Sequence, residues 1–420
     1  MPSPELRAAA PGSAYVLSGT LISDGRATAD AVVAVTGGRI AYAGSGRGFR
    51  TAGFRGAREL TLPPGSSILP GLIDLHCHGA AGGSFPTGDG RACRDAAGFL
   101  HRNGTTTLLA SLVTTPEEEL LRGIAVLRPL AHEGLIAGIH SEGPFLSPAR
   151  CGAQDPEWLR TPDLELLRRL LDAAGGTLKT MTYAPELPGA GRLVSMLAGN
   201  GVTPSLGHTE ADARTTADSL TAAAESLRSS GTAGPGADRR PTVTHLFNGM
   251  PPLHHRNPGP AAACLRLAAA GTVAVELIGD GVHLDPETVR MVFELAGADN
   301  VVLVTDSMAA TGLPDGDYEL GPSAVAVRGG VAALKSNGAL AGGTATLLDV
   351  VRKTIAAGVA PEDAVRAATL VPARILGLDD QIGSLKPGMR ADIVAVDGDF
   401  GLAAVLRGGQ PLPHPAGIRA

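Results

Sequence analysis

At 420 residues the chain is too long for one small core, and it suits a large barrel with an accessory domain or two to three ordinary domains. Apolar residues make up 44% and charged residues 18%, which excludes a disordered chain, while 57 glycines beside 3% aromatics point to tight turns and close backbone contacts. The net charge of -6, without any lysine-arginine run interleaved with aromatics, argues against nucleic acid and anionic membrane as partners.

In chain order, the opening "MPSPELRAAAPGSAYVL" has neither a basic region nor a sustained apolar core, so no signal peptide is expected. Residues 15 to 62 alternate apolar and polar positions around "VTGGRI", where Gly37-Gly38 suits a two-residue hairpin. From residue 68 onward eight short apolar runs recur, each followed by a helical pattern: 68–78, 105–112, 135–145, 178–186, 201–210, 241–250, 272–283 and 300–308. Between them "TPDLELLRRLLDAA" reads as a helix capped by Thr161, with Pro162 in its first position. Residues 221 to 240 read as a helix end and a mobile loop, without chemistry. The stretch "AAACLRLAAAGTVAVELIG" carries Arg266 and Glu276 and is not a membrane span. A last strand pattern, "ADIVAVD", lies within 383 to 410.

Eight strand–helix units predict a (β/α)8 TIM-type barrel over residues 67–379. The ends, 1–66 and 380–420, are expected to pair into one small discontinuous β-sandwich domain around it. Cys77, Cys93, Cys151 and Cys264 show no CxxC spacing and no disulfide framework, so a cytoplasmic, soluble protein is expected.

A barrel places its catalytic groups at the C-terminal ends of its strands. His76 and His78 fall at the first such end, Glu142 at the third, His208 at the fifth, His245 at the sixth, His283 after the seventh and Asp306 at the eighth. A lone histidine there is more often a hydrogen-bonded structural residue than a ligand. Six of the eleven histidines at strand ends shift that balance, whereas His101, His132 and His414 fall elsewhere. His140 shares a strand with Glu142 and reads as a deeper supporting residue. Imidazoles with carboxylates and no thiolate cluster suit zinc, iron, manganese or cobalt. Such a metal acidifies water and polarises a carbonyl, while a nearby carboxylate, here Asp306, moves the proton. No GxSxG elbow, Walker loop or strand-associated GxGxxG competes.

"PGLIDLHCHG", "HSEGPF", "LGHT", "THLFNGM" with "PLHHRNPG", "DGVH", "VTDSM", "LAGGTATL" and "GSLKPGMRADIV" together resemble the amidohydrolase superfamily, and within it the N-acetylglucosamine-6-phosphate deacetylases. Where many superfamily members carry a carbamylated lysine on strand four, these deacetylases use a glutamate from strand three, a place that Glu142 fits. The resemblance implies that Glu142, His208 and His245 bind one divalent metal. It also implies that His76 and His78 complete a second position near Asp306, giving one or two metals per subunit. Asp306 becomes general base and then acid, and His283 contacts the substrate near its acetamide or sugar hydroxyls. Asn248, Gly249 and Arg256 form a phosphate grip, with Arg256 reaching the neighbouring subunit of a homodimer. Leu340, Ala341 and Gly342 form a further turn lining the substrate.

Bottom-up chemistry agrees about Arg256, since a planar guanidinium suits a phosphate dianion; the plainer reading is a surface arginine paired with a carboxylate. One departure stands in "CGAQ", residues 151 to 154, where the family usually reads "KGAH". Ala153 and Gln154 are expected to line the substrate, but glutamine cannot carry a proton. The implied reaction converts N-acetylglucosamine 6-phosphate to glucosamine 6-phosphate and acetate. Its rivals are action on the galactosamine epimer and a non-catalytic barrel that binds sugar phosphates.

Overall fold

The computed structural model describes residues 14–50, 54, 56–231 and 239–413. The opening stretch up to residue 13, residues 232–238 of the 221–240 segment read as a helix end and loop, and His414 lie outside the described residues.

Eight parallel strands form one sheet in sequence order: Leu72–Asp74, Thr105–Leu112, Gly138–Glu142, Leu178–Tyr183, Thr203–Leu206, Thr242–Val243, Ala274–Leu277 and Val301–Leu303. The eighth meets the first beyond their ends, where His78 N–H donates to Ser307 O at 2.7 Å and Asp306 N–H donates to His76 O at 2.9 Å. Asp74 reinforces this seam by accepting the Thr305 hydroxyl at 2.6 Å. Helices fill the connections. The helix Leu164–Ala174 buries Leu166, Leu167, Leu170 and Ala174 on one face and stops at the left-handed Gly175.

The cap of that helix differs from the sequence expectation. Asp163, not Thr161, accepts the free N–H groups of Glu165 and Leu166, at 3.0 and 3.1 Å. A carboxylate at the positive end of the helix satisfies two donors, leaving Pro162 outside it.

The run 68–78 also divides. Ser67–Pro70 pairs antiparallel with Ile393–Val396 in the outer sheet, and only Leu72–Asp74 enters the barrel. Gly71 is the crossing point, since a Cβ there would lie 2.1 Å from Thr106 Oγ1. His76 and His78 therefore follow the first strand rather than lie on it.

The outer sheet joins both ends of the chain. Tyr15–Ser23, Arg26–Thr36, Arg39–Ser45, Arg58–Glu59 and Ser67–Pro70 combine with Ile393–Val396, Leu402–Arg407 and Gln410–Pro411. Gly37 and Gly38 both have positive φ, 57° and 76°, as a tight hairpin turn requires. Inside the barrel, Ile73, Leu109, Ala274 and Val302 pack together and against Val371 and Ile375 of the helix Leu370–Leu376. This apolar floor fills one end and leaves the other for polar groups. A three-stranded antiparallel sheet, Gly316–Leu320, Ser323–Arg328 and Val331–Leu334, was not expected from the sequence; it packs through Leu320, Val325 and Leu334 onto Met308 and Ala341.

Asp163→Ala should lower unfolding free energy by about 1 kcal/mol, whereas Thr161→Ala should change it by less than about 0.5 kcal/mol. Chemical denaturation of the two variants beside the parent checks this order.

Candidate metal centre

Glu142 is the last residue of the third barrel strand, so its side chain stands at the barrel mouth. The imidazoles come from the turns just beyond other strands. His208, His245 and Asp306 all hold left-handed backbone conformations, with φ of 47°, 28° and 49°. Such conformations cost about 1–3 kcal/mol each and persist only where the surroundings impose them. One such surrounding is Gly249, where a Cβ would lie 2.8 Å from His208 Nδ1. Only glycine leaves room for that ring.

Two donor sets share Glu142. Its Oε1 lies 2.8 Å from His208 Nε2 and 3.0 Å from His245 Nε2, and those nitrogens are 3.1 Å apart. Its Oε2 lies 3.2 Å from His78 Nε2 and 3.7 Å from His76 Nε2. Asp306 Oδ1 completes the second set at 3.2 and 3.3 Å from the same two nitrogens. In each set the donor atoms lie within 4.8 Å of one another.

The chemistry of these donors fits a divalent cation. His78 Nδ1 donates to Ser111 O at 3.1 Å and His208 Nδ1 to Arg150 O at 2.8 Å. Carbonyls only accept, so the proton sits on Nδ1 and each Nε2 turns a lone pair toward the centre. His78 Nε2 meets His76 Nε2 at 3.1 Å. At that distance a proton on His76 Nε2 or a cation lies between the two nitrogens. With zinc–nitrogen bonds of about 2.0–2.1 Å, the edge of a tetrahedral ligand set is about 3.3 Å, which matches these separations.

Electrostatics agree. Burial disfavours ionised Asp306, yet His76 and His78 outweigh it and hold the carboxyl down to about 2. Burial likewise opposes ionised Glu142, and the imidazoles around it keep it well below the usual carboxylate range. Burial also opposes protonated His76, but Asp306 and Glu142 hold it well above the usual histidine value. His140 goes the opposite way, pushed down first by burial and then by the His76 charge. Its ring nitrogens meet the hydroxyls of Ser111 and Thr182, both at 2.9 Å, so it packs behind His76 outside both donor sets.

The cluster opens into a pocket of about 260 Å³. Ala153, Gln154, Asn248, Gly249, His283, Leu340 and Gly342 line it, together with Gly152, Leu320 and Ala339. Ala341 is buried beneath the three-stranded sheet and Arg256 lies exposed on the 251–258 loop; neither is among the lining residues. A larger cleft of about 780 Å³ runs past Asp280, Lys353 and Phe400, but among the described residues both metal-competent clusters lie at the smaller pocket.

Two carboxylates escaped sequence reasoning. Glu276 Oε2 lies 3.5 Å from His76 Nδ1 and accepts the His245 N–H at 3.3 Å, linking the two sets from behind. Its signal was a charge two residues after Ala274, on the same inward face of a strand. Asp280 faces His283 Nδ1 across 2.9 Å and also accepts that residue's backbone N–H at 2.8 Å. The spacing in "DGVH" carried that signal.

A parallel barrel with imidazoles and carboxylates converging at its mouth defines a hydrolase site for a divalent metal. The chain belongs to the amidohydrolase family, whose model matches residues 67–418. It is 35% identical to the N-acetylglucosamine-6-phosphate deacetylase of Bacillus subtilis (strain 168), over 82% of this chain and 84% of that protein. It is 33% identical to the N-acetylgalactosamine-6-phosphate deacetylase of Escherichia coli O157:H7, over 82% and 87% of the two chains. Among solved structures, a mutant N-acetyl-D-glucosamine-6-phosphate deacetylase from Mycobacterium smegmatis, in complex with N-acetyl-D-glucosamine-6-phosphate, superposes with a TM-score of 0.85 at 37% identity. That match covers 95% of this chain and 99% of the other.

Burial disfavours protonated His283, but the Asp280 carboxylate outweighs it and raises its titration above the usual histidine value. Asp280→Asn removes that charge, so the His283 titration followed by NMR should move down in pH; an unmoved titration would show that Asp280 does not govern the ring.

Proposed function

We propose that this protein hydrolyses the acetamide of N-acetylglucosamine 6-phosphate, giving glucosamine 6-phosphate and acetate in amino-sugar breakdown. The observation that carries the reading is Glu142 held between two pairs of imidazoles, with Asp306 beside one pair. Zinc, iron, manganese or cobalt, at one or two positions per subunit, would be held by Glu142, His208 and His245 and by His76, His78 and Asp306. A bound divalent cation supplies Lewis acidity, which polarises the amide carbonyl and acidifies water.

The remaining work falls to side chains. Asp306, ionised at neutral pH, takes the proton of the attacking water and returns it to the departing amine as the carbon–nitrogen bond breaks. His283, with Nδ1 held by Asp280, turns Nε2 toward the substrate, where it hydrogen-bonds the acetamide or a sugar hydroxyl. A pocket of about 260 Å³ suits one small sugar phosphate. The backbone around Asn248 and Gly249 contributes to the phosphate grip from its Gly249 end, since the backbone and side-chain N–H groups of Asn248 both donate to His245 O, at 3.0 and 3.1 Å. Arg256, exposed on its loop, contributes the guanidinium to the neighbouring pocket of a homodimer. Ala153, Gln154, Leu340, Ala341 and Gly342 belong to the walls around the sugar, Ala341 from beneath. The four cysteines are free, which supports a reducing cytoplasm. No described helix is long and apolar enough to cross a membrane.

Action on the galactosamine epimer is a second reading, favoured by the 33% identity to the Escherichia coli relative named for it. The ratio of kcat/KM for the two epimers decides between them.

Acetate release from N-acetylglucosamine 6-phosphate should stop on chelation and return on metal readdition, and the unphosphorylated sugar should be a poor substrate. Asp306→Asn should lower kcat by about three orders of magnitude while cation stays bound through Glu142, His208 and His245. Undiminished turnover in that variant would remove Asp306 from the reaction.

A further inference from the structure

The two oxygens of Glu142 have different surroundings. Oε1 faces the imidazoles of His208 and His245, at 2.8 and 3.0 Å. Oε2 faces His78 and His76, but it also accepts a hydrogen bond from Gln154 Nε2 at 2.5 Å. The orientation of that amide is settled by its other end. Gln154 Oε1 accepts the backbone N–H of Thr114 at 2.7 Å, and a backbone N–H can only donate, so the NH2 must face Glu142. The Thr114 hydroxyl in turn donates to the Glu142 carbonyl at 3.1 Å. Gln154 is 5% exposed, so water does not compete for either end of its amide.

We infer that Gln154 is a positioning residue for one of the two cation positions. An N–H on a ligating carboxylate oxygen fixes the direction of the lone pair left for a cation, and losing such a partner typically costs about 10–100-fold in metal affinity. That partner acts on Oε2 and therefore on the position formed with His76, His78 and Asp306. The position formed by Oε1, His208 and His245 does not depend on it. Gln154 cannot itself serve as a ligand, because its only lone-pair atom is turned toward Thr114. This inference rests on the reading that the cluster holds divalent cations.

Calorimetric titration of the metal-free protein with Zn²⁺ tests it. The parent should show two binding events. Gln154→Met, which keeps similar bulk but removes the donor, should weaken one event by about tenfold or more and leave the other in place. Gln154→Ala serves as a second variant, and circular dichroism of each metal-free variant establishes that it is folded. A single event in the parent, no change in either event, or both events shifting together in folded variants would overturn the inference and reduce Gln154 to a structural clamp. Absence of any Zn²⁺ binding by the parent would overturn the cation reading itself, and the inference with it.

Discussion

Glu142 is an ionised carboxylate almost sealed from water, and the barrel mouth is organised around compensating it. An unpaired buried charge of this kind costs several kcal/mol even after relaxation. Here four imidazoles and one amide surround it; backbone groups hold the rings of His78 and His208 and the amide, while the Nδ1 atoms of His76 and His245 have no hydrogen-bond partner. Ser111 O and Arg150 O fix the tautomers of His78 and His208. Glu276 stands behind His76 and His245. Thr114 fixes which end of Gln154 points inward. A cation placed among these donors replaces protons that the cluster would otherwise have to hold.

That arrangement needs a rigid frame, because donor atoms about 3 Å apart tolerate little drift. The frame is the closed sheet, and its weakest place is the seam between the short first strand and the eighth. Asp74 sits in the seam with no exposure, bonded to the Thr305 hydroxyl, and burial pushes its carboxyl up to about 6. The same backbone stretch carries His76 and His78 on one side and Asp306 on the other. Closing the barrel and assembling the second donor set are thus one event. The left-handed backbone of His208, His245 and Asp306 follows from the same demand: each side chain must turn inward immediately after its strand ends.

Much of this was legible because a barrel repeats one rule, apolar strand followed by chemistry at its end. The run 105–112 matches the strand Thr105–Leu112, and Glu142, His208, His245 and Asp306 were found by position alone. The errors occur where periodicity carries no information. The outer sheet and the barrel share the run 68–78 without a break in hydrophobicity, and Gly71 marks the crossing only through contact with Thr106, a residue distant in sequence. Glu276 acts across space on His76 and His245, whereas its place on the inward face of a strand marks it only as a buried charge. The three-stranded sheet was legible in principle: Gly329 and Gly330, with φ of 59° and 75°, repeat the turn at Gly37 and Gly38. That sheet lies outside the eightfold strand–helix repeat.

The unforeseen sheet matters because it adds pocket wall that the barrel strands do not supply. Every donor to the cation cluster comes from the ends of barrel strands or the turns directly beyond them, where the closed sheet sets geometry. Leu320 and Ala339 come from the added sheet and its edge, Leu340 and Gly342 follow it, and Ala153 comes from the loop after the third strand. These wall residues are small or apolar, so they shape a sugar-sized space by exclusion rather than by charge. Relatives named for the glucosamine and galactosamine substrates resemble this chain at 35% and 33% identity. Two epimers differ in the direction of one hydroxyl, a distinction that wall residues can make while the donor set stays the same. Residues of the added sheet can therefore vary without touching Glu142, whereas Gln154, in the loop after the third strand, bonds it directly.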